Sequence, residues 1–87
     1  MKKIVIYSKV PCPYCVAAKN FLNDKGIPFE EIDLTHDMDQ LQRIKEHYGW
    51  RTVPLILIDG TLVGGYTDLK AMDENGELDK LLTGASS

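Results

Sequence analysis

The stretch KIVIYSKVPCPYC, residues 3–15, determines the fold, and its last four residues carry the chemistry. Lys3 to Tyr7 is a short run rich in β-branched residues, which is typical of a buried strand. From Pro13 to Lys25 the apolar residues recur at a helical spacing. Pro13 suits the first position of a helix, because its fixed φ fits there and the N–H that it lacks would have had no partner. We therefore predict a strand, a short loop and a helix that begins just after Cys12.

The chain has two cysteines, Cys12 and Cys15, three residues apart. On a helix this spacing places both sulfurs on one face, within bonding reach. Cys12 falls at the N-terminus of the helix, where free backbone N–H groups and the macrodipole favour the thiolate. Cys15 lies one turn further on, where it can attack a mixed disulfide formed on Cys12. The motif predicts a redox-active dithiol, with Cys12 as the nucleophile and Cys15 as the resolving thiol.

The cysteine pair is compatible with two other roles. A structural disulfide across four residues would stabilise weakly, by roughly 2 kcal/mol in the chain-entropy model against about 3 kcal/mol for a fifteen-residue loop. A zinc site needs four ligands. The chain has no second cysteine pair, and its only histidines, His36 and His47, are too widely spaced for the usual close pairing. The sequence favours the redox role and predicts no metal site.

Composition sets the class of protein. The chain has 87 residues, of which 44% are hydrophobic and 26% charged, as in an ordinary small globular domain. The net charge is −3 and no run of Lys and Arg occurs, which argues against a nucleic-acid partner. No apolar stretch approaches the length of a membrane span. We expect one domain over residues 1–87 with a frayed tail at 84–87, in the cytoplasm, where reducing conditions suit a catalytic dithiol.

The rest of the chain alternates between strand and helix patterns. Asp37 is a predicted N-cap for a second helix, and Asp59-Gly60 is a two-residue hairpin signal between two apolar runs. The second helix carries a predicted buried stripe of Met38, Leu41, Ile44, Lys45 and Tyr48. The predicted elements after the first helix are strand 29–33, the second helix, strands 55–58 and 61–63, a third helix capped by Thr67 or Asp68, and a short helix with Leu78, Leu81 and Leu82. The order β-α-β-α-β-β-α predicts an α/β fold with a four-stranded mixed sheet flanked by helices.

Four features at matching places make the chain resemble the dithiol glutaredoxins. They are Cys12-Pro13-Tyr14-Cys15, Thr52-Val53-Pro54, Gly64-Gly65 and Asp68. The resemblance covers residues 1 to about 82. It implies a thioredoxin fold, a cis Val53–Pro54 peptide bond packed against the dithiol, and a monomer. It also implies glutathione-dependent reduction of protein disulfides and glutathione mixed disulfides, with glutathione as cosubstrate and no permanently bound cofactor.

The resemblance further implies a glutathione-binding site. Its residues are Lys9, Tyr14, Thr52, Val53, Pro54, Gly65, Tyr66, Thr67 and Asp68. The backbone of Val53 would pair with the glutathione cysteine in the manner of an added strand. Backbone N–H groups of Tyr66 to Asp68, at a helix start, would receive the γ-glutamyl carboxylate, and the Asp68 side chain would take the ammonium group. Lys9 would meet the glycine carboxylate and help to hold Cys12 ionised, while Tyr14 would shield the sulfurs.

Plainer roles exist for several of these residues. Lys9 can be a solvated surface cation, Asp68 only a helix cap, and Gly64-Gly65 only a turn. Three further segments lie near the expected site but are not assigned to it: Trp50, Arg51 and the stretch 40–43. Many relatives carry a third cysteine after the glycine pair, where this chain has Tyr66. Because that position would act through its backbone, binding should survive, with a groove narrowed by the ring.

Two other functions are compatible with the cysteine pair, and the resemblance suggests one protein partner. A thioredoxin-like redoxin, reduced by a flavoprotein reductase, would normally carry Trp-Cys-Gly-Pro-Cys, which this chain lacks. A glutathione-ligated iron–sulfur dimer would use Cys12, but Pro13 stiffens the loop against it. Among disulfide-containing or glutathionylated protein partners, the resemblance suggests ribonucleotide reductase.

Overall fold

The computed structural model of the protein describes residues 2–83. Its strands and helices follow the predicted order, including the short last helix. They are β1 (Ile4–Ser8), α1 (Pro13–Asp24), β2 (Glu30–Asp33), α2 (Met38–Tyr48), β3 (Leu55–Ile58), β4 (Thr61–Gly64), α3 (Tyr66–Glu74) and α4 (Glu77–Thr83). The predicted tail at 84–87 lies outside the described residues.

The four strands form one mixed sheet in the order β2-β1-β3-β4. β1 pairs in parallel with β2 and antiparallel with β3, and β3 pairs antiparallel with β4. The parallel pair with α1 between its strands is the βαβ unit that the sequence predicts. Because β1 is a central strand, the loop that follows it starts from a fixed point and leads directly to Cys12.

The core on one side of the sheet is built by α1, α3 and α4. Ala18 and Leu22 of α1 are fully buried against Ile4 and Ile6 of β1. The cluster is completed by Ile56, Ile58, Leu69, Leu78 and Leu82. All four side chains of β3 are buried, so this strand has a covered surface on both faces, as a central strand requires. Helix α1 is thereby held rigidly, and with it the cysteine pair at its start.

Helix α2 corrects one prediction. Asp37 caps it as expected, since its carboxylate accepts the Gln40 N–H at 3.2 Å. The predicted buried stripe is wrong for Met38, which is 48% exposed. Leu41 is the one fully buried side chain of this helix, so α2 meets the sheet through its middle and its first turn extends into solvent.

Glu31 connects β1, β2 and α1. Its Oε2 atom accepts a hydrogen bond from the buried Ser8 hydroxyl at 2.7 Å and from Lys19 Nζ at 2.9 Å. The Lys19 ammonium, with a smaller contribution from Ser8, lowers the pKa of Glu31 against the opposing effect of burial. The carboxylate therefore ties the end of β1 to β2 and to α1.

Replacing Glu31 by glutamine should destabilise the protein by about 1–2 kcal/mol at neutral pH, because a charge-assisted hydrogen bond and an ion pair are both weakened. A carboxyl group with a lowered pKa stabilises the folded state above its unfolded pKa, and this stabilisation is lost as pH falls through the folded pKa. The difference between wild type and Glu31→Gln in urea unfolding should therefore shrink from pH 7 to pH 3. A difference that stayed constant with pH would show that the charge of Glu31 does not contribute.

Candidate active site

The two cysteines are joined in a Cys12–Cys15 disulfide, with Cα atoms 5.2 Å apart. Cys12 is the N-cap of α1, with extended backbone angles, and its sulfur accepts the Cys15 N–H at 3.1 Å. Cys15 is only 3% exposed, whereas Cys12 is partly exposed. A substrate therefore reaches the sulfur of Cys12 first, and Cys15 is placed to act only on what is bonded to Cys12.

The loop before β3 faces the dithiol. The Val53–Pro54 peptide bond is cis, as the resemblance implies, and a second cis bond joins Val10 to Pro11. The sulfur of Cys12 lies 3.6 Å from the carbonyl oxygen of Val53. The paired part of β3 begins only at Leu55. The backbone of Val53 is therefore outside the sheet and beside the reactive sulfur.

The start of α3 supplies free donors next to this loop. The prediction that Thr67 or Asp68 is the N-cap is wrong: Gly65 is the N-cap, and the Asp68 carboxylate, three residues further on, accepts its N–H at 3.0 Å. Glycine has no side-chain oxygen that could accept a hydrogen bond from the first turn of the helix. The N–H groups of Thr67 and Asp68 therefore have no capping oxygen. Asp68 thus acts as a helix cap and stays exposed. An anionic group at this end of α3 would meet unused N–H donors.

One open groove of about 390 Å³ brings most of the predicted binding residues together. Eight of the nine border it: Tyr14, Thr52, Val53, Pro54, Gly65, Tyr66, Thr67 and Asp68. Lys9 is the exception, because it borders a separate cleft together with Cys12. The dithiol helix, the loop before β3 and the start of α3 therefore meet around a single concave surface.

Trp50 also borders this groove, although the sequence does not assign it to the site. Its ring atom Cζ2 would lie 3.6 Å from a Cβ atom placed on Gly65. Arg51 does not border the groove but a neighbouring depression, which also contains Trp50. The position of Trp50, two residues before Thr52, was the available signal, but sequence does not say to which side the indole turns.

Tyr66 joins the groove to the core. Its ring packs edge-on against Phe21, with centroids 6.4 Å apart, and lies 6.3 Å from the ring of Tyr14. Tyr14 itself is exposed, whereas Tyr66 is half-buried, and the two rings meet at the rim of the groove. The aromatic side chain that replaces the expected cysteine therefore forms part of the groove wall.

Comparison with known proteins identifies the family. The sequence model of the glutaredoxin family matches residues 4–63, which include the cysteine pair and the loop before β3. The chain belongs to the glutaredoxin family. Glutaredoxin 3 of Escherichia coli strain K12 is 40% identical over 82 residues, which cover 94% of this chain and 99% of that protein.

Solved glutaredoxin structures share the fold. The solution structure of glutaredoxin from Brucella melitensis is 39% identical, with a TM-score of 0.82, and the match covers 100% of this chain and 96% of that one. The buckwheat glutaredoxin–glutathione complex is 29% identical, with a TM-score of 0.85, over 94% of this chain and 77% of that one. The thioredoxin fold with a mixed four-stranded sheet is confirmed.

Family and geometry together establish the type of chemistry. This glutaredoxin is a glutathione-dependent thiol–disulfide oxidoreductase with a dithiol centre, and glutathione is its cosubstrate. Within residues 2–83, no group of three or more His, Cys, Asp and Glu side chains is arranged to hold a metal ion. No helix in that range is long and apolar enough to cross a membrane.

Proposed function

We propose that the groove beside Cys12 binds glutathione, and that the protein reduces glutathione mixed disulfides and protein disulfides. One observation carries this proposal. The Cys12 sulfur lies 3.6 Å from the carbonyl of Val53, at the edge of a groove that ends at the free N–H groups of α3. A tripeptide with a cysteine in the middle and a carboxylate at each end fits such an arrangement.

Each end of glutathione has a proposed partner. The backbone of Val53 pairs with the cysteine residue of glutathione, as in strand addition, and so brings its sulfur to Cys12. The γ-glutamyl carboxylate lies at the N–H groups of Tyr66, Thr67 and Asp68, where the dipole of α3 favours negative charge. The carboxylate of Asp68, which is exposed, takes the ammonium group.

The remaining predicted residues frame the ligand. Thr52 and Pro54 shape the floor of the groove, and Tyr14 covers the sulfurs from its rim. Lys9 approaches Cys12 from the separate cleft, where its positive charge favours the thiolate. A contact between Lys9 and the glycine carboxylate of glutathione remains a prediction.

Removal of glutathione from a protein needs one cysteine. The Cys12 thiolate attacks the glutathione sulfur of the mixed disulfide, a Cys12–glutathione disulfide forms, and the protein leaves as a thiolate that takes a proton from water. The thiolate of a second glutathione then attacks the bound glutathione sulfur. Oxidised glutathione is released. The two electrons of the broken Cys12–glutathione bond stay on the Cys12 sulfur, which becomes a thiolate again.

Reduction of a protein disulfide needs both cysteines. The Cys12 thiolate attacks one sulfur of the disulfide and the other leaves as a thiolate. Cys15 loses its proton and attacks the Cys12 sulfur, which releases the second protein thiolate and forms the Cys12–Cys15 disulfide. Two glutathione molecules then reduce this disulfide and become oxidised glutathione.

The setting that we propose follows from this chemistry. The cytoplasm keeps glutathione reduced and is therefore the compartment in which the cycle can run. Protein partners are disulfide-containing or glutathionylated proteins, with ribonucleotide reductase as one candidate, and the protein works as a single-domain monomer. We expect neither a nucleic-acid nor a membrane partner.

The proposed function is tested by turnover of the mixed disulfide between glutathione and 2-mercaptoethanol, coupled to NADPH through glutathione reductase. We expect rapid loss of NADPH that depends on both the protein and glutathione. No turnover, combined with reduction of the protein by a thioredoxin reductase, would overturn the assignment of glutathione to the groove.

The substitution Gly65→Ala should weaken glutathione binding without unfolding the protein. The backbone of Gly65 has a φ of −103°, which alanine can adopt, and a Cβ atom there would make ordinary contacts of 3.6 Å with Trp50 and 3.7 Å with the Pro54 carbonyl. The added methyl group would therefore take up space in the groove without disturbing the fold. We expect the KM for the glutathione mixed disulfide to rise about ten-fold, as for an overpacked site, with a smaller change in kcat.

Gly64→Ala is the control for Gly65→Ala, because it should affect stability. Gly64 has a φ of +124°, and a Cβ atom would lie 2.6 Å from the Asp68 carboxylate. This variant should lose about 1–3 kcal/mol of stability, because the α3 cap must shift and the backbone is strained. If Gly65→Ala lowered the midpoint of urea unfolding as much as Gly64→Ala does, its effect on KM could not be assigned to the groove.

A further inference from the structure

A second cleft, of about 340 Å³, opens beside the dithiol. It shares no lining residue with the glutathione groove, yet both Cys12 and Cys15 border it. Its rim is formed by the loop after β1 and the first turn of α1. Cys12 therefore lies between two concave surfaces, and all of the proposed glutathione contacts except Lys9 lie on the first.

Exposed apolar side chains mark the rim of this second cleft. Val10 is 65% exposed and Val16 is 51% exposed, and both border it. Large apolar side chains that remain in water beside a reactive group are typical of an interaction surface. The described residues contain two further exposed aliphatic side chains, Met38 on α2 and Leu81 on α4, and neither borders the cleft.

The loop that carries Val10 is held in place. The Val10 N–H donates to the Thr35 hydroxyl at 2.9 Å, and that hydroxyl donates in turn to the Asp33 carboxylate. Asp33 is the last residue of β2, so the loop is fixed to the sheet. A surface that is ordered before binding loses less entropy when a partner docks.

The cleft also carries one uncompensated positive charge. Lys19 is paired with Glu31 at 2.9 Å, whereas Lys9 has no ion pair within the described residues. Lys9 is half-buried between the apolar rim and Cys12. A partner segment with an apolar residue and a nearby carboxylate is complementary to this arrangement.

We propose that the second cleft docks the polypeptide of a protein substrate, namely the segment next to its disulfide-bonded cysteine. In the mixed disulfide with Cys12, this segment must lie within one side chain of the sulfur, and the cleft is the surface beside Cys12 that shares no lining residue with the proposed glutathione groove. An apolar residue next to the substrate cysteine packs on Val10 and Val16, and an acidic residue beyond it faces Lys9. The proposal rests on the proposed function.

The test uses synthetic peptides with one cysteine, each supplied as its disulfide-linked dimer, so that the Cys12 thiolate must attack a peptide sulfur and form the mixed disulfide with the peptide. One peptide has Leu on both sides of the cysteine followed by Glu, a second has Ser in place of Leu, and a third has Lys in place of Glu. Turnover is coupled to glutathione reductase, with the 2-mercaptoethanol mixed disulfide as the small substrate. For wild type, we expect kcat/KM to be about ten-fold higher for the Leu peptide than for the Ser peptide, with the Lys peptide between them.

Two double variants test which surface of the protein is responsible for the preference for the Leu peptide. The double variant Val10→Ser, Val16→Ser should lose the preference for the Leu peptide and turn over the small substrate at the wild-type rate. The control Met38→Ser, Leu81→Ser removes two exposed aliphatic side chains elsewhere and should keep the preference. The small substrate also reports on folding, because it needs an intact dithiol helix and groove.

A second measurement does not depend on rates. The Leu peptide is trapped as a mixed disulfide on Cys12 in the Cys15→Ser variant, and amide shifts are compared with those of the glutathione adduct of the same variant. We expect additional shifts at Val10 and Val16. Equal turnover of the peptides with no such shifts would overturn the docking surface and leave the proposed function intact, whereas failure of wild type on the small substrate would overturn the proposed function itself.

Discussion

The substitution Cys12→Ser should abolish both reactions of this glutaredoxin, lowering turnover of glutathione mixed disulfides and of protein disulfides at least a thousand-fold, to the uncatalysed level. Every proposed step forms or breaks a bond to the Cys12 sulfur. A serine hydroxyl has no comparable tendency to ionise or to attack sulfur at neutral pH. Cys15 cannot take over the first step, because it is only 3% exposed.

Serine is also the appropriate replacement on structural grounds. Cys12 is the N-cap of α1 and accepts the Cys15 N–H, and serine is among the preferred residues for that position. The variant should therefore unfold in urea at the midpoint of the reduced wild type. Residual activity above a few per cent, in a variant that is folded, would show that Cys15 can act as the nucleophile and that the burial of its sulfur is not limiting.

Much of the fold could be predicted because local and long-range signals agree. Pro13 begins α1 where its ring fits, Asp37 caps α2, and Gly26, with a φ of +69°, takes the left-handed position just after α1. The ends of strands depend on pairing as well as on the local sequence. β1 runs from Ile4 to Ser8 rather than from Lys3 to Tyr7, because Ser8 is buried and its hydroxyl is bonded to Glu31, which only the pairing with β2 reveals.

The candidate site, like the fold, could be predicted from the sequence only in part. The eight residues that border the groove were predicted, because the resemblance places them in short motifs around the cysteine pair and the cis-proline loop. Trp50 and Lys9 lie in connecting segments, where spacing does not indicate to which side of Cys12 a side chain turns. Met38 was predicted to be buried from its helical spacing, but that pattern cannot say how much of α2 the sheet covers. Such questions depend on how whole elements pack.

The substitution Cys15→Ser should separate the two reactions. Removal of glutathione from small or protein substrates needs only Cys12 and a second glutathione, so its rate should stay within about three-fold of wild type. Reduction of a protein disulfide needs Cys15 to release the partner from Cys12, and we expect its rate to fall at least a hundred-fold, with the mixed disulfide accumulating. The two rates are measured on one preparation, with glutathione reductase and NADPH reporting both.

The physical basis of this separation is the position of Cys15, one helical turn beyond Cys12 and beneath the surface. Its Cα atom is 5.2 Å from that of Cys12, so its sulfur can reach the Cys12 sulfur, while its burial keeps it from substrates in solution. Mass spectrometry of the stalled variant should find the substrate protein attached to Cys12. If Cys15→Ser lost both activities equally while remaining folded, Cys15 would be required for the first attack as well, and the assignment of one nucleophile and one resolving thiol would be wrong.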